Sequence, residues 1–432
     1  MLKTPQFYTR VKKALSIYSD RVSAFHPNAR LYLLSVVLTG AALGVYRLLF
    51  NFYVLSLGYD EALLGTLITT SSLTALIAAL PMGYLVDILG QKLAMIFGSL
   101  SVIVAIAVMV LFPFAGVFIA MSVVLGLGQS LNGVAMGPFL MENSGEKERT
   151  YLFSFASGLT MASGFIGNWI GGYLPTWMAG VQGGSPTNPL AYGWSLGVIA
   201  IAASAGILPL LFLRPGQLSG EQRSMFAPIS FFAKNTRLLG RLILPMLIVS
   251  LGAGLIMPFM NVFYRQVYHQ PDPVIGSMFA WGSLAMGIGL LLAPPLADRF
   301  GKIQVVVVTQ ALSIPFLFLM GFSPAYLLSA AAYYVRLTLM NMSGPVYQTF
   351  VMEKVTPSAR ATVASLVSMA NNVGWAFSPQ VSGWIQVNYG FSPAFAATIV
   401  FYAIAIYLYW RYFWYGARHP SRVPLPDESA TF

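Results

Sequence analysis

The sequence predicts an all-α polytopic membrane protein, with twelve transmembrane helices in two six-helix pseudo-symmetric halves. Three observations predict it. Of the 432 residues, 57% are hydrophobic and only 9% charged. A soluble chain carries about 25% charged residues, so this surface faces lipid. The apolar residues also gather into twelve runs near the ~20 residues that a membrane helix needs. Finally, the scarce polar landmarks recur at a fixed interval, the mark of two homologous halves fused head to tail.

Residues 1–30 are polar and basic, unlike a cleavable signal peptide. Phe7, Val11, Leu15, Tyr18, Val22 and Phe25 recur at steps of four and three, with Arg10, Lys12, Lys13 and Arg21 off that stripe. The segment reads as a basic amphipathic helix on the inner leaflet, or as a solvated tail. The first half, 31–213, holds the runs Leu31–Leu57, Ala62–Val86, Leu93–Phe112, Val117–Leu140, Leu152–Trp177 and Ala191–Leu213. A linker over 214–241 follows, and its Met225, Phe226, Ile229 and Phe232 suit another surface helix. The second half, 242–414, holds Leu242–Tyr264, Pro273–Leu296, Ile303–Gly321, Tyr326–Val351, Ala361–Val387 and Ala394–Trp414, before a tail over 415–432. With both termini cytoplasmic, all of the 24 Lys and Arg except Arg47, Arg265 and Arg336 fall on the inner side. That bias sets the orientation expected in an inner (plasma) membrane. It also explains the net charge of +11 without a nucleic-acid partner.

The repeat is clearest at the end of the second run. Gly83-x-Leu85-x-Asp87-x-x-Gly90-x-Lys92 is too short for a loop with its own structure, so a tight hairpin is expected. A second copy reads Pro295-Leu296-Ala297-Asp298-Arg299-Phe300-Gly301-Lys302. Asp87 and Asp298 stand 211 apart (298 − 87), as do Gly90 and Gly301, Gly65 and Gly276, Glu142 and Glu353, Arg149 and Arg360, and Gly172 and Gly383. Such repeats characterise secondary transporters. The hairpin resembles the signature loop between helices two and three of the major facilitator superfamily, although Ile88 and Gln91 stand where that family often has basic residues. With the repeat and the helix count, the resemblance covers nearly the whole chain.

The resemblance implies a gate at the inner face. Glu142 and Arg149 are separated by seven residues, as are Glu353 and Arg360 (149 − 142 and 360 − 353). With the hairpin residues Gly83, Asp87, Gly90, Lys92, Asp298, Arg299, Gly301 and Lys302, they form the two clusters that in the family hold the inner side shut. Interfacial solvation alone is the competing explanation, since surface pairs contribute about 0–1 kcal/mol. Ser163-x-x-x-Gly167-Asn168-x-x-Gly171-Gly172 resembles the family's antiporter motif, with Asn168 in place of its proline. The proline form stands in the eleventh run, Gly374-x-x-x-Ser378-Pro379-x-x-Ser382-Gly383. Small residues at steps of four also let helix backbones approach closely.

Two cations lie inside apolar runs, Arg47 in the first and Arg336 in the tenth, and no acid lies mid-run. An embedded charge is costly and usually functional, unless it caps carbonyls or reaches a water-filled vestibule. In the family, helices one, four, seven and ten line the central cavity, so the resemblance implies that both face it. Arg336 aligns with Gln129 through Gly137-Pro138 and Gly344-Pro345, an offset of 207 (344 − 137). Where the family often carries Arg-x-x-x-Gly, this chain has Gln129-x-x-Asn132-Gly133. The candidate substrate-binding set is Arg47, Asn51, Gln129, Asn132, Asn261, Tyr264, Arg336, Asn341, Asn372 and Trp375.

The chain has no cysteine, and His26, His269 and His419 fall outside the runs, which excludes thiolate and intramembrane histidine metal sites. No cofactor is expected. Nor is there a nucleophile–base pair or phosphate loop, so an enzyme is not expected. The expectation is a monomeric alternating-access transporter for a small organic, anionic or amphipathic solute. An efflux pump for lipophilic compounds is the alternative, and a non-transporting receptor or lipid-handling scaffold is a third reading from another class.

Overall fold

Helix α1 starts where the first apolar run is capped. Pro27 occupies its first turn, and the His26 side chain accepts from the Asn28 N–H at 3.3 Å. In this computed structural model, residues 25–214, 236–355 and 360–415 are described, with backbone alone for 146–151, 237, 360–362, 364 and 365. The surface helices expected within 1–30 and in the linker fall largely outside the described residues, as does the tail beyond 415.

The helices are α1 (Pro27–Ser56), α2 (Glu61–Leu111), α3 (Ala115–Glu142), α4 (Glu146–Gln182), α5 (Pro189–Ala205), α6 (Leu208–Leu211), α7 (Thr236–Ile256), α8 (Met260–Tyr268), α9 (Asp272–Phe300), α10 (Lys302–Phe322), α11 (Tyr326–Glu353), α12 (Arg360–Tyr389) and α13 (Ser392–Tyr409). A 3-10 turn, Met257–Phe259, joins α7 to α8, and a π-helical turn, Trp410–Tyr415, ends the described chain. No strand occurs among the described residues. Among the described residues, eight helical segments, one of them all 51 residues of α2, are long and apolar enough to cross a membrane.

A straight 51-residue helix would span about 77 Å at 1.5 Å per residue, more than twice a hydrocarbon core of about 30 Å. It is broken at Gly90, whose φ of 77° and ψ of 158° are non-helical. Both limbs, 61–89 and 91–111, pack on α3: a Cβ at Gly126 would lie 2.3 Å from Ser71 O, and one at Gly128 would lie 2.7 Å from Gly98 O. The expected hairpin is thus a single residue. Gly301, its partner in the repeat, separates α9 from α10 with φ 93° and ψ 147°. Only glycine reaches these angles without a Cβ clash, so the repeat preserves a backbone requirement.

Most helices run past the apolar stretches that announced them, because their ends carry interfacial polar residues. Asp60 caps α2 through the Leu63 N–H at 2.9 Å, and Asn188 caps α5 through Leu190 at 3.1 Å. Within the first half α1 packs on α4, and both limbs of α2 on α3; within the second α7 packs on α12, and α10 on α11. The halves meet where α12 lies on α2 and where α9 lies on α4. These two interfaces are equivalent under the repeat.

The apolar core differs between the two ends of the molecule. At the end remote from Gly90 and Gly301, here called the distal end, one cluster draws on both halves: Leu48, Phe52 and Tyr192 from the first, and Phe259, Tyr264, Ile275 and Phe395 from the second. At the proximal end there are two separate clusters. One holds Tyr32, Val86, Met95 and Phe139 of the first half alone. The other holds Leu242, Val306, Val346 and Tyr409 of the second half alone.

Candidate functional site

The distal closure is built on the repeated glycines. A Cβ at Gly65 of α2 would lie 2.3 Å from Pro379 O of α12, and one at Gly383 of α12 would lie 2.2 Å from Glu61 O of α2. On the equivalent interface, a Cβ at Gly276 of α9 would lie 2.5 Å from Asn168 O, and one at Gly172 of α4 would lie 2.8 Å from Asp272 O. All four positions came from the repeat, and all four sit where one half touches the other. The small-residue stripes also serve packing within each half: Gly167 sits against Ala41 O, and Gly374 against Ser250.

Polar contacts lock the same end. Asn51 Nδ2 donates to Asn261 Oδ1 at 2.9 Å and to Pro258 O at 2.8 Å, and Asn261 Nδ2 donates to Leu48 O at 2.8 Å. Asn51 and Asn261 were expected to face a ligand; both are buried and spend their carboxamides on each other and on the opposite backbone. Close by, Asp272 at the start of α9 pairs with Arg265 at 3.1 Å and accepts from the Tyr192 hydroxyl at 2.6 Å. Arg265 also donates to that hydroxyl. Its guanidinium lies 4.1 Å from the ring centroid of Phe52, on α1. Gln266 reaches Glu61 across the same boundary. Tyr192, Phe52 and Glu61 belong to the first half, and the rest to the second. The sequence reading missed Tyr192 and Asp272. The signal was Arg265, the single Lys or Arg assigned to the outer side, which needed a partner there.

A cavity of about 370 Å³ lies within the first half, among α1, the 91–111 limb of α2, α3, α4, α5 and α6. Arg47, Gln129 and Asn132 line it together with Tyr32, Ser99, Val102, Ile103, Ile106 and Ile199. Arg47 is exposed to this space although it stands midway along α1. The Asn132 carboxamide, oriented to satisfy both of its polar atoms, bridges Met95 O at 3.1 Å and the Ser99 N–H at 3.3 Å. Three of the ten candidate residues are thus brought together here.

The others lie elsewhere. Arg336 is 2% exposed. Its Nη2 donates to the Tyr402 hydroxyl at 3.1 Å, its Nη1 lies 3.8 Å from Met257 Sδ, and its Nε is buried without an acceptor among the described residues. The expectation that Arg336 faces a cavity is therefore corrected: Tyr402 and Met257 fill the space around it. Tyr264 is buried too, its hydroxyl against Ser329 Oγ at 3.1 Å. Asn341 and Asn372 donate to carbonyls of their own helices, Leu337 O and Ser368 O, and Trp375 is exposed.

At the proximal end, Lys302 pairs with Glu353, both in the second half, and Lys92 Nζ donates to Leu211 O at 2.6 Å. Arg299 stacks on its neighbour Phe300, 5.1 Å from the ring centroid. Asp87, Glu142 and Asp298 are exposed, and the side chains of Arg149 and Arg360 fall outside the described residues.

The Major Facilitator Superfamily family model matches residues 32–271 and 242–430. The multidrug resistance protein MdtG of Dickeya zeae is 22% identical over 426 residues, covering 90% of this chain and 94% of its own. MdtG of Salmonella paratyphi C is 25% identical over 388 residues, covering 84% and 90%. Among solved structures, the nucleoside transporter NupG superposes with a TM-score of 0.70 at 14% identity, covering 89% of this chain and 98% of that one.

Proposed function

The chain belongs to the major facilitator superfamily, and on that premise we propose that it moves a small organic, anionic or amphipathic solute by alternating access. It is an integral membrane transporter and not an enzyme. The observation that carries the alternating-access reading is the divided core. One end joins the halves through a shared cluster, and the other keeps two clusters apart. A carrier that rocks one half against the other around a fixed site has this form in each end state. With the proximal end cytoplasmic, the orientation that the Lys and Arg bias supports, the protein is inward-facing, and both termini are cytoplasmic. Twelve crossings follow if the two limbs of α2 cross separately and α4, α11 and α12, each at least 28 residues long, also cross.

The anionic preference rests on Arg47, a cation at a cavity that no acid lines. Asp87, Glu142 and Arg149, with Asp298, Glu353 and Arg360, close the inner face in the opposite state. The protein acts as a monomer, without a nucleic-acid partner. A second reading, efflux of lipophilic compounds, is favoured by the MdtG relatives, which are named as multidrug resistance proteins.

Counterflow in proteoliposomes tests the choice, with a panel of organic anions set against lipophilic cationic dyes. Saturable exchange of anions supports the first reading. Exchange of the dyes with no exchange of anions overturns it in favour of efflux.

A further inference from the structure

We propose that the ligand site lies wholly inside the first half, in the Arg47 cavity, and takes an amphipathic monoanion: one carboxylate or sulfonate on an apolar, ring-bearing body. This rests on the anionic reading above and narrows it to one place and one charge. The cavity volume of about 370 Å³ falls within the range of small-molecule sites, whose walls are mainly apolar with a few convergent polar groups. Here those groups are Arg47, on α1, and Gln129, on α3. Neither has a hydrogen-bond or ion-pair partner among the described residues. Ile103, Ile106 and Ile199 supply apolar wall. An embedded cation without a counter-ion is costly, and a ligand that brings one negative charge removes that cost. A second negative charge would meet no second cation, because no other Lys or Arg lines the cavity.

The second half shows why the site is single. Asn51 and Asn261 are 210 positions apart, and the same offset carries Arg47 to Met257 (47 + 210). The offset of 207 carries Gln129 to Arg336 (129 + 207). Each half therefore has one arginine at the same pair of positions, but on exchanged helices. In the first half the pair borders empty space. In the second, Arg336 is 2% exposed, with Met257 Sδ, at the position equivalent to Arg47, 3.8 Å from it and the Tyr402 hydroxyl 3.1 Å from it, so its guanidinium is packed against protein. Arg336 is a buried packing cation, and a ligand does not bridge the two arginines.

Two probes separate these possibilities: 8-anilinonaphthalene-1-sulfonate and N-phenyl-1-naphthylamine, which share a body and differ in the sulfonate. Each is titrated calorimetrically into the full chain in phosphatidylcholine nanodiscs, with empty discs subtracted and the melting of every variant recorded. The wild type is expected to bind the sulfonate more tightly. Arg47→Gln should weaken it roughly tenfold or more, the range of a charge-assisted hydrogen bond, and leave the amine unchanged. Arg336→Gln should leave sulfonate affinity intact, and Ser99→Phe, which fills the cavity, should remove both. If Arg47→Gln does not fold, Arg47→Lys keeps the charge but loses the bidentate grip, and weakened sulfonate binding in it supports the same site. Unchanged sulfonate affinity in a folded Arg47 variant overturns the proposal. Equal losses at Arg47 and Arg336 overturn it too, and restore a site between the halves with the anionic reading intact. A wild type that prefers the amine overturns the anionic reading itself.

Discussion

The Tyr402 hydroxyl accepts from Arg336 Nη2 at 3.1 Å, and no acid pairs with this guanidinium among the described residues. The guanidinium also lies 5.5 Å from the centroid of the same ring. Tyr402→Phe keeps the ring and removes the acceptor oxygen. A buried donor left unpaired costs about 1–3 kcal/mol, so this variant should melt at a lower temperature while the Arg47 cavity binds as before. Thermal melting beside probe titration checks both; an unchanged melt would mean that water or another acceptor already serves Arg336. Both arginines were legible in the sequence, because a charge inside an apolar run is rare. Which of them faces open space was not. That depends on Met257 and Tyr402, which stand 79 and 66 positions from Arg336, and no local pattern connects such residues. Asn51 and Asn261 were misjudged for the same reason: a polar residue near the core reads as a ligand group until its partner across the boundary is known.

Among the elements, α2 with α12 and α4 with α9 form the two surfaces on which the halves separate or join. The repeat made Gly65, Gly172, Gly276 and Gly383 visible, but a glycine at a fixed interval announces close packing without naming its neighbour. A Cβ at Gly276 would meet Asn168 O at 2.5 Å and Gly172 Cα at 2.7 Å, and neither backbone atom can yield cheaply. Gly276→Val should therefore hold the distal ends apart. Asp272→Asn should push the same way more weakly, by weakening the pair with Arg265 and the bond from Tyr192. Asp87→Asn should push the opposite way if the inner clusters close the other state. Because the chain has no cysteine, spin labels on pairs of engineered cysteines report cleanly. Pulsed-resonance distances between the distal ends of α2 and α12 should lengthen in the first two variants. Proximal distances in Asp87→Asn should shift further toward the separated form seen here. Distributions identical to wild type in Asp87→Asn would reject the inner gate, and identical ones in Gly276→Val would reject the glycine contacts as the closure.

Across the whole molecule, what is absent from the middle decides how transport can be driven. A carrier coupled to protons needs an acid or histidine whose proton affinity changes as access passes from one side to the other. Among the described residues Asp272 is the buried acid, and it lies at the distal end, already engaged by Arg265 and Tyr192. Glu142 and Glu353 are exposed at the proximal end, the latter paired with Lys302. The histidines stand outside the apolar runs. This division was legible early, because acids are so scarce that their positions can be read directly; the burial of Asp272 was not, since a residue at a helix start gives no sign of what packs over it. No carboxylate therefore lies beside the Arg47 cavity to exchange a proton for substrate. The expected behaviour is exchange or facilitated diffusion, with solute moving only down its own gradient or against a second solute. In proteoliposomes loaded with a transported anion, counterflow should proceed, and an imposed pH gradient alone should produce no accumulation. Strong uphill uptake on that gradient would count against this reading. Its loss in Asp272→Asn, but not in Glu142→Gln, would then assign the proton to the distal network, making the residues that hold the outer face shut also the ones that sense which side is open.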